Sequence, residues 1–341
     1  MDPSHGLDAS RLEAWLAPRL PGFAGPLEVR QFRGGQSNPT YLLATPGGRL
    51  VLRRKPPGPL LRSAHAIERE FRVLRALGAT GFPVPRARLF CEDPEVIGSA
   101  FYVMDHVEGR VIGDLLLPGF SPAERSALYD SMNETLARLH SLDPAELGLA
   151  DYGRPGNYFA RQIHRWTEQY RASAAEPIPE MERLAEWLPA HLPEGESTCL
   201  VHGDFGFGNL LLHPSEPRVV AVLDWELSTL GDPLADLTYH LAHRRLPTAP
   251  FSEVPEAELE ALGIPSEAEV VAAYCRRTGR AGIPRLEFYL SFHCFRTAAV
   301  LHGIAGRVRA GTAAGEGAAE LAETARPLAE LALQLAARVG A

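Results

Sequence analysis

Three polar residues in the middle of the chain have the spacing of a base followed by two metal ligands. Asp204 follows His202-Gly203, Asn209 comes five residues after Asp204, and Asp224 follows the next apolar run. Phosphoryl transfer from ATP needs little covalent help, because catalysis rests on an acceptor hydroxyl aimed in line and on divalent cations that absorb charge. Asp204 would orient that hydroxyl and accept its proton, while Asn209 and Asp224 offer the hard oxygen ligands that Mg2+ prefers.

Two short apolar segments around these residues predict the strands that position them. Residues 198–201 and 218–223 are bounded by turn residues, and each has the composition of a strand. Asp204 and Asp224 would then follow strand ends, where functional residues commonly lie. We expect His202 to hold the shape of its loop through a hydrogen bond.

The segment from His202 to Leu237 resembles the aminoglycoside phosphotransferase and choline kinase superfamily, the small-molecule branch of the protein-kinase-like fold. The resemblance rests on His-Gly-Asp, four further residues, an asparagine, and an apolar strand that ends in Asp224-Trp225-Glu226. With His213-Pro214 and residues 227–236, the segment is most similar to the kinase-like domain fused to certain acyl-CoA dehydrogenases. The resemblance covers nearly the whole chain, and it implies an enzyme that uses ATP and Mg2+ to phosphorylate a hydroxyl group of a small molecule.

The same resemblance implies an α+β, bilobal protein-kinase-like fold. Residues 1–104 would form a nucleotide-binding lobe with a small antiparallel sheet and one main helix, and residues 105–341 a larger, mostly helical lobe for catalysis and acceptor binding. A chain of 341 residues, 45% of them hydrophobic, is long enough for two such lobes. In the small lobe, alternating apolar residues predict three strands and a helix, at 29–32, 39–44, 49–53 and 63–77.

The loop Gly34-Gly35-Gln36-Ser37-Asn38 is a candidate phosphate cradle, because glycines let backbone amides approach an anion. An ordinary hairpin turn is the alternative interpretation. By resemblance, Arg53 stands where kinases place the lysine that holds the α and β phosphates, with Lys55 two residues on and Glu70 or Glu68 as the partner. The candidate nucleotide-binding residues here are Gly34, Gly35, Ser37, Asn38, Arg53, Lys55 and Glu70.

Residues 101–109 predict an edge strand that runs into a turn. The resemblance implies that this segment is the hinge whose backbone hydrogen-bonds adenine, with Met104 and Val107 among the nucleotide contacts. In the larger lobe, Ser121 and Ser266 each precede a glutamate by three residues, which predicts a capping box at two helix starts. Three further regions have helical composition, at 157–187, 284–309 and 316–338. The resemblance implies that the first of them helps to form the acceptor pocket, while its aromatic residues at helical spacing are more typical of core packing than of substrate contacts.

Composition and charge exclude some classes of binding partner for this protein. A net charge of −8 argues against general binding of nucleic acid or an anionic membrane surface, since both need a basic surface. No apolar run reaches the roughly 18 to 20 residues that cross a bilayer, so we expect a cytoplasmic protein. The cysteines lack a Cys-x-x-Cys pair, which predicts buried thiols rather than a zinc site or disulfides, at Cys91, Cys199, Cys275 and Cys294.

Other interpretations stay open. A metal-dependent phosphohydrolase could use His202, Asp204, His213 and Asp224. A catalytically silent nucleotide-binding module is the third possibility, because Arg53 replaces the expected lysine. For the kinase, resemblance suggests a hydroxyacyl-CoA acceptor, whereas the wider superfamily offers aminoglycosides, choline, homoserine and sugars. The acidic run at 253–260 would suit a polycationic aminoglycoside, and the larger lobe has arginines that would suit the phosphates of CoA, at Arg161, Arg165, Arg171, Arg276, Arg277, Arg280, Arg307 and Arg309. Glu226 could assist metal binding or face solvent, and both interpretations stay open. The resemblance implies that Asp236 braces the catalytic loop.

Overall fold

The computed structural model describes residues 2–3, 7–32, 38–56, 66–246, 250–311 and 317–339. The chain divides into two compact units, the first made of residues 1–111, 145–152 and 209–228 and the second of residues 112–144, 153–208 and 229–341. The division into lobes at 1–104 and 105–341 stays a prediction. In the ranges described, none of the helices combines the length and the apolar character needed to span a membrane.

The strands in chain order are β1 (Asp2–Pro3), β2 (Glu28–Gln31), β3 (Thr40–Thr45), β4 (Gly48–Arg54), β5 (Ala87–Cys91), β6 (Phe101–Asp105), β7 (Arg110–Val111), β8 (Cys199–Val201), β9 (Leu210–Leu212), β10 (Val219–Val222) and β11 (Thr229–Gly231). The helices are α1 (Ala9–Leu16), α2 (Ile67–Gly78), α3 (Pro94–Ile97), α4 (Pro122–His140), α5 (Tyr158–Arg171), α6 (Pro179–Ala190), α7 (Leu234–His243), α8 (Glu256–Ala261), α9 (Glu267–Thr278), α10 (Leu286–Arg309), α11 (Ala318–Glu323) and α12 (Ala325–Ala336). The three strands predicted in the first lobe match β2, β3 and β4 to within one residue at each end.

The first unit is built on an antiparallel sheet with the order β1-β2-β3-β4-β6-β5. Side-chain alternation sends Leu43, Leu52 and Val103 to one face, where they form a buried core with α1. On α2, the ring of Phe71 stacks on Phe90 of β5 and contacts Tyr102 of β6. The α+β class with a small antiparallel sheet and a mostly helical remainder is confirmed.

The prediction of an edge strand at residues 101–109 was wrong. β6 lies inside the sheet, where Tyr102 pairs with Arg53 of β4 on one side and with Phe90 of β5 on the other. The first four side chains of β6 are buried, as expected of an interior strand. β5 has no clear alternation of burial, which is why its pairing with β6 was not apparent from the sequence.

The second unit is helical around α10, which packs against α5, α7, α11 and α12. Both predicted capping boxes are present, at Ser121 and Ser266. The prediction of one helix at 316–338 was wrong, because the chain breaks at Thr324 between α11 and α12. Pro327 lacks an amide hydrogen and cannot lie inside a continuous helix, so it falls in the first turn of α12 instead. The four cysteines are buried and free, as predicted.

Candidate active site

Arg53 on β4 lies among three carboxylates of the first unit. Its Nε atom is 3.0 Å from Oε2 of Glu70, while its Nη2 donates to Oδ1 of Asp224 at 2.6 Å and to Oε2 of Glu226 at 3.4 Å. The side chain of Arg53 is only 13% exposed and that of Glu70 only 1%. A charge so poorly hydrated is costly unless it is paired, so Arg53 and Glu70 stabilise each other in this cluster.

Glu70 is the buried centre of the cluster. Its Oε1 accepts a hydrogen bond from Asn38 Nδ2 and its Oε2 one from the hydroxyl of Tyr102, each at 2.9 Å. Burial raises the pKa of Glu70 to about 7, against the opposing effects of Arg53 and of the Tyr102 hydrogen bond. Burial opposes the charge of Arg53 as well, but Glu70 and the other acidic neighbours raise the pKa of Arg53 above its ordinary value. The guanidinium is therefore a permanent cation.

Lys55, the second candidate cation, has a partner of its own. Its Nζ lies 3.0 Å from Oε2 of Glu68, and both side chains are more exposed than those of Arg53 and Glu70, at 31% and 49%. Both glutamates that the sequence suggested as partners therefore form ion pairs, Glu70 with Arg53 and Glu68 with Lys55. Asn38 is buried against Glu70. The candidate loop residues Gly34, Gly35 and Ser37 lie outside the described residues.

The two predicted metal ligands, Asn209 and Asp224, lie at the same end of the hairpin formed by β9 and β10. β9 and β10 pair antiparallel, with Val222 opposite Leu210, and the amide of Leu223 then donates to the carbonyl of Asn209 at 2.8 Å. Asp224 follows in a left-handed conformation, with φ of 62°, and turns the chain out of β10. An aspartate tolerates this conformation better than most residues. The antiparallel pairing of β9 and β10 therefore brings Asn209 and Asp224 to the same end of the hairpin.

The cluster also supplies donors for a divalent cation. Carboxylate oxygens of Glu70, Asp224 and Glu226 lie within 4.8 Å of one another. The oxygens of Glu70 already accept from Asn38 and Tyr102, whereas the carboxylates of Asp224 and Glu226 are partly exposed. All-oxygen donors of this kind, with Asn209 at the same hairpin end, fit Mg2+. Glu226, whose role the sequence left open, faces Arg53 and this site.

A cavity of about 630 Å3 lies in the first unit beside the cluster. This volume is in the range of pockets that hold small-molecule ligands and cofactors. Arg53 and Asp224 of the cluster line it together with other polar residues, and apolar side chains line much of the remainder. The segment from β6 to β7 contributes both predicted hinge residues, Met104 and Val107. The apolar side chains include Val51, Leu74, Met104, Val107, Leu211 and Val222.

The loop predicted to be catalytic, around Asp204, belongs to the second unit, where the ladder of β8 and β11 leads into it. The amides of His202 and Gly203 donate to the two carboxylate oxygens of Asp236, at 2.6 and 2.7 Å. Asp236 is fully buried on α7, and its Oδ2 also lies 3.2 Å from Nε2 of His140. Burial would raise the pKa of Asp236, but its contacts with His140 and His202 hold that pKa below the ordinary value. Asp236 therefore stays an anion that braces the loop.

The backbone around Asp204 is fixed by short local contacts. The amide of Asp204 donates to Nδ1 of His202 at 3.2 Å, which is the loop-shaping hydrogen bond expected of that histidine. Gly203 has φ of 87°, a left-handed conformation that favours glycine and explains its place before the aspartate. The hydroxyl of Tyr239 interacts with the Asp204 carboxylate, and burial together with this interaction raises the pKa of Tyr239. Tyr239 is therefore a protonated donor near neutral pH.

Sequence reasoning missed the helical residues that surround the loop. His140, Tyr239 and Arg296 come from α4, α7 and α10, and none stands in a motif that points to the loop. Only the position of Tyr239, three residues after Asp236 and hence on a neighbouring part of the helix surface, could have suggested a contact.

The phosphohydrolase interpretation needs His202 and His213 as metal ligands. His202 is fully buried, and its Nδ1 already accepts the amide of Asp204. Nδ1 of His213 accepts the amides of Ser215 and Glu216, at 3.3 and 3.0 Å. Each imidazole therefore holds a backbone turn, and among the described residues neither belongs to a cluster of potential metal ligands.

Comparison with known proteins shows which family the sequence resembles. Residues 28–289 match a family described as the phosphotransferase enzyme family. Acyl-CoA dehydrogenase family member 11 of Rattus norvegicus is 46% identical over 98% of this chain, and the chain spans 44% of the length of that relative. The predicted resemblance to the kinase-like region of such dehydrogenases is confirmed.

Solved structures give the same result. A crystal structure from Ralstonia eutropha, which carries the provisional name of an aminoglycoside phosphotransferase, has a TM-score of 0.90 and 48% identity, over 98% of this chain and 100% of that one. Aminoglycoside phosphotransferase APH(4)-Ia, solved with AMP-PNP and hygromycin B, has a TM-score of 0.61 over 95% of this chain and 99% of that one. At 18% identity it shows the fold alone, and the protein-kinase-like fold is confirmed.

Proposed function

Because the chain belongs to the phosphotransferase enzyme family, we propose that it is an ATP- and Mg2+-dependent kinase that phosphorylates a hydroxyl group of a small molecule. The observation that carries this proposal is the cluster of Arg53, Glu70 and Asp224 beside the cavity of the first unit. A fixed cation and metal-binding carboxylates next to an apolar pocket are the features that a nucleoside triphosphate requires.

In this proposal the apolar residues of the cavity contact the adenine ring of ATP, and Arg53 of the cluster contacts its phosphates. The adenine ring packs against apolar side chains such as Val51 and Met104, and the phosphates point to Arg53. Asn209 and Asp224 would hold Mg2+, with Glu226 as a further oxygen donor. The bound cation supplies charge neutralisation for the triphosphate. Arg53 adds a second positive charge from the protein, and Glu70 keeps that guanidinium in place.

Asp204 has the separate task of preparing the acceptor. Its carboxylate orients the acceptor hydroxyl and accepts its proton as the oxygen bonds to the γ-phosphorus and the bond to ADP breaks. Asp236, through the amides of His202 and Gly203, keeps the loop that carries Asp204 in one shape. Catalysis by orientation depends on such rigidity, because small displacements lower the rate strongly.

For the acceptor we favour a hydroxyacyl-CoA. The support is the 46% identity to a relative named as an acyl-CoA dehydrogenase, of which this chain spans 44%. The arginines of the second unit add less support than their number suggests, because Arg171, Arg277 and Arg309 pair with carboxylates. An aminoglycoside acceptor is the second candidate, favoured by the provisional name of the Ralstonia eutropha protein.

A panel of ADP-release assays tests the proposal. Wild type is compared on a 4-hydroxyacyl-CoA, choline, homoserine, simple sugars and an aminoglycoside, with Asp204→Asn as the blank. Asp130→Asn is the matched control, because Asp130 is an exposed aspartate of the same unit that pairs with Arg277. We expect turnover on the acyl-CoA that vanishes in Asp204→Asn and persists in Asp130→Asn. Binding of ATP without turnover on any acceptor would favour a silent module, and turnover on the aminoglycoside alone would favour the second candidate.

A further inference from the structure

Arg296 of α10 holds the carbonyl of the residue that precedes Asp204. Its Nη1 and Nη2 atoms both donate to the oxygen of Gly203, each at 3.1 Å. This oxygen belongs to the same peptide unit as the amide of Asp204, which donates to Nδ1 of His202. The Gly203–Asp204 peptide unit is therefore held at both ends.

The guanidinium of Arg296 is itself held in place. It lies 5.5 Å from the ring centroid of Trp166 on α5 and 5.2 Å from that of Tyr239 on α7. Contacts of a guanidinium with aromatic faces are attractive and fix its plane. Since Asp236 holds the two preceding peptide units through the amides of His202 and Gly203, three consecutive peptide planes before Asp204 are fixed.

The need for such a clamp follows from Gly203. Its left-handed conformation turns the chain sharply before Asp204, and a glycine resists rotation of the following peptide less than any other residue. An external hydrogen-bond donor on the carbonyl supplies the missing restraint. The two donors of a guanidinium restrain the oxygen more than a single donor would.

We propose that Arg296 is a positioning residue that sets the direction of the Asp204 carboxylate by clamping the Gly203 carbonyl. The inference rests on the proposed role of Asp204. Arg296→Met removes both donors and keeps an unbranched apolar side chain. Arg296→Lys keeps a cation with a donor that can reach the same carbonyl.

Arg244→Met is the matched control. Arg244 also donates to a backbone carbonyl, that of Pro265 at 2.6 Å, and lies 4.7 Å from the ring of Phe251. Its loss therefore removes the same kinds of contact elsewhere in the second unit. With Mg2+-ATP and a 4-hydroxyacyl-CoA as the probe, we expect Arg296→Met to lower kcat about 10- to 100-fold with both KM values within about twofold of wild type. Arg296→Lys recovers part of the loss, and Arg244→Met keeps the wild-type kcat.

Hydrogen–deuterium exchange of the free protein gives a second readout that needs no turnover. We expect the amides of Gly203 and Asp204 to exchange faster in Arg296→Met than in wild type and in Arg244→Met. A raised acceptor KM with unchanged kcat would make Arg296 a substrate contact and overturn the proposal, as would wild-type exchange and kinetics in Arg296→Met. If wild type fails to turn over the probe, the proposed acceptor is wrong, and exchange alone decides the role of Arg296.

Discussion

Nη2 of Arg53 donates to Oδ1 of Asp224 at 2.6 Å, across 171 residues of sequence. The contact joins β4 to the end of β10, so the strand that carries the cation and the hairpin that carries the proposed metal ligands meet in one place. The guanidinium balances part of the charge of the carboxylate. In the proposed kinase, Mg2+ would compete with Arg53 for this carboxylate, and the phosphates of ATP would compete with Asp224 for this guanidinium.

Replacing Arg53 by methionine should weaken the binding of Mg2+-ATP by about 10-fold or more, because it removes a charge-assisted contact to phosphate at a poorly hydrated site. Lys55→Met should have a smaller effect, since Lys55 and Glu68 are both well exposed and form the weaker kind of ion pair. Isothermal titration calorimetry with Mg2+-ATP measures both variants. A larger loss in Lys55→Met would transfer the phosphate role from Arg53 to Lys55.

Asp224→Asn should remove the benefit of magnesium for nucleotide binding. The variant loses a charged oxygen ligand and also reduces the 2.6 Å ion pair with Arg53 to a hydrogen bond with a neutral acceptor. We therefore expect affinity for ATP in EDTA to be kept or improved, while the gain on adding Mg2+ falls by about 10-fold or more. Glu226→Gln is the matched control and should lose less, because its contact with Arg53 is longer, at 3.4 Å. An undiminished magnesium effect in Asp224→Asn would remove Asp224 from the metal site.

The raised pKa of Glu70 predicts a pH dependence of stability. Burial takes this pKa from 4.5 to about 7 in the folded protein, so the folded state holds the proton more tightly than the unfolded chain. The resulting stabilisation is complete below the unfolded pKa and is lost as the pH rises through about 7. Relative to Glu70→Gln, wild type should lose on the order of 3 kcal/mol of unfolding free energy from about pH 5 to pH 8. Urea denaturation across this range measures the difference, and curves that stay parallel would contradict it.

Asp236→Asn should destabilise the second unit. The substitution removes the charge and one of the two oxygens that accept the amides of His202 and Gly203 in a fully buried place. We expect a loss of about 2–3 kcal/mol in unfolding free energy near neutral pH. Since the pKa of Asp236 is lowered in the folded state, this contribution fades as the pH falls and the carboxylate is protonated. Denaturation of both proteins at neutral and acidic pH checks this, and a constant difference would contradict it.

Sequence reasoning located two strands of this region correctly. The strands predicted at 198–201 and 218–223 correspond to β8 and β10, so Asp204 and Asp224 each follow a strand end, as expected, whereas the hairpin that pairs β9 with β10 was not predicted. The structure brings Asn209 and Asp224 to the same end of the ladder of β9 and β10. The resemblance offered Glu70 or Glu68 as the partner of Arg53, and the structure pairs Arg53 with Glu70.

Contacts between residues far apart in the sequence could not be predicted from the sequence. Arg296 and Gly203 are 93 residues apart, and His140 and Asp236 are 96 apart. The first half of α10 is buried on all sides, at residues 288–295, so no amphipathic pattern in its sequence marks the arginine that follows. The interior place of β6 was missed for a similar reason, because strand order depends on pairing across the sheet and not on the strand itself.

We propose that this chain transfers a phosphoryl group to a hydroxyl group, with Asp204 preparing the acceptor. Mass spectrometry of a 4-hydroxyacyl-CoA after incubation with Mg2+-ATP and either wild type or Asp204→Asn tests this transfer, with Mg2+-ATP affinity measured for both proteins. We expect an acceptor heavier by one phosphoryl group with wild type and none with Asp204→Asn, at equal affinity for Mg2+-ATP. Equal amounts of phosphorylated acceptor from both proteins would contradict the role of Asp204, and wild type that binds no Mg2+-ATP would contradict the kinase itself.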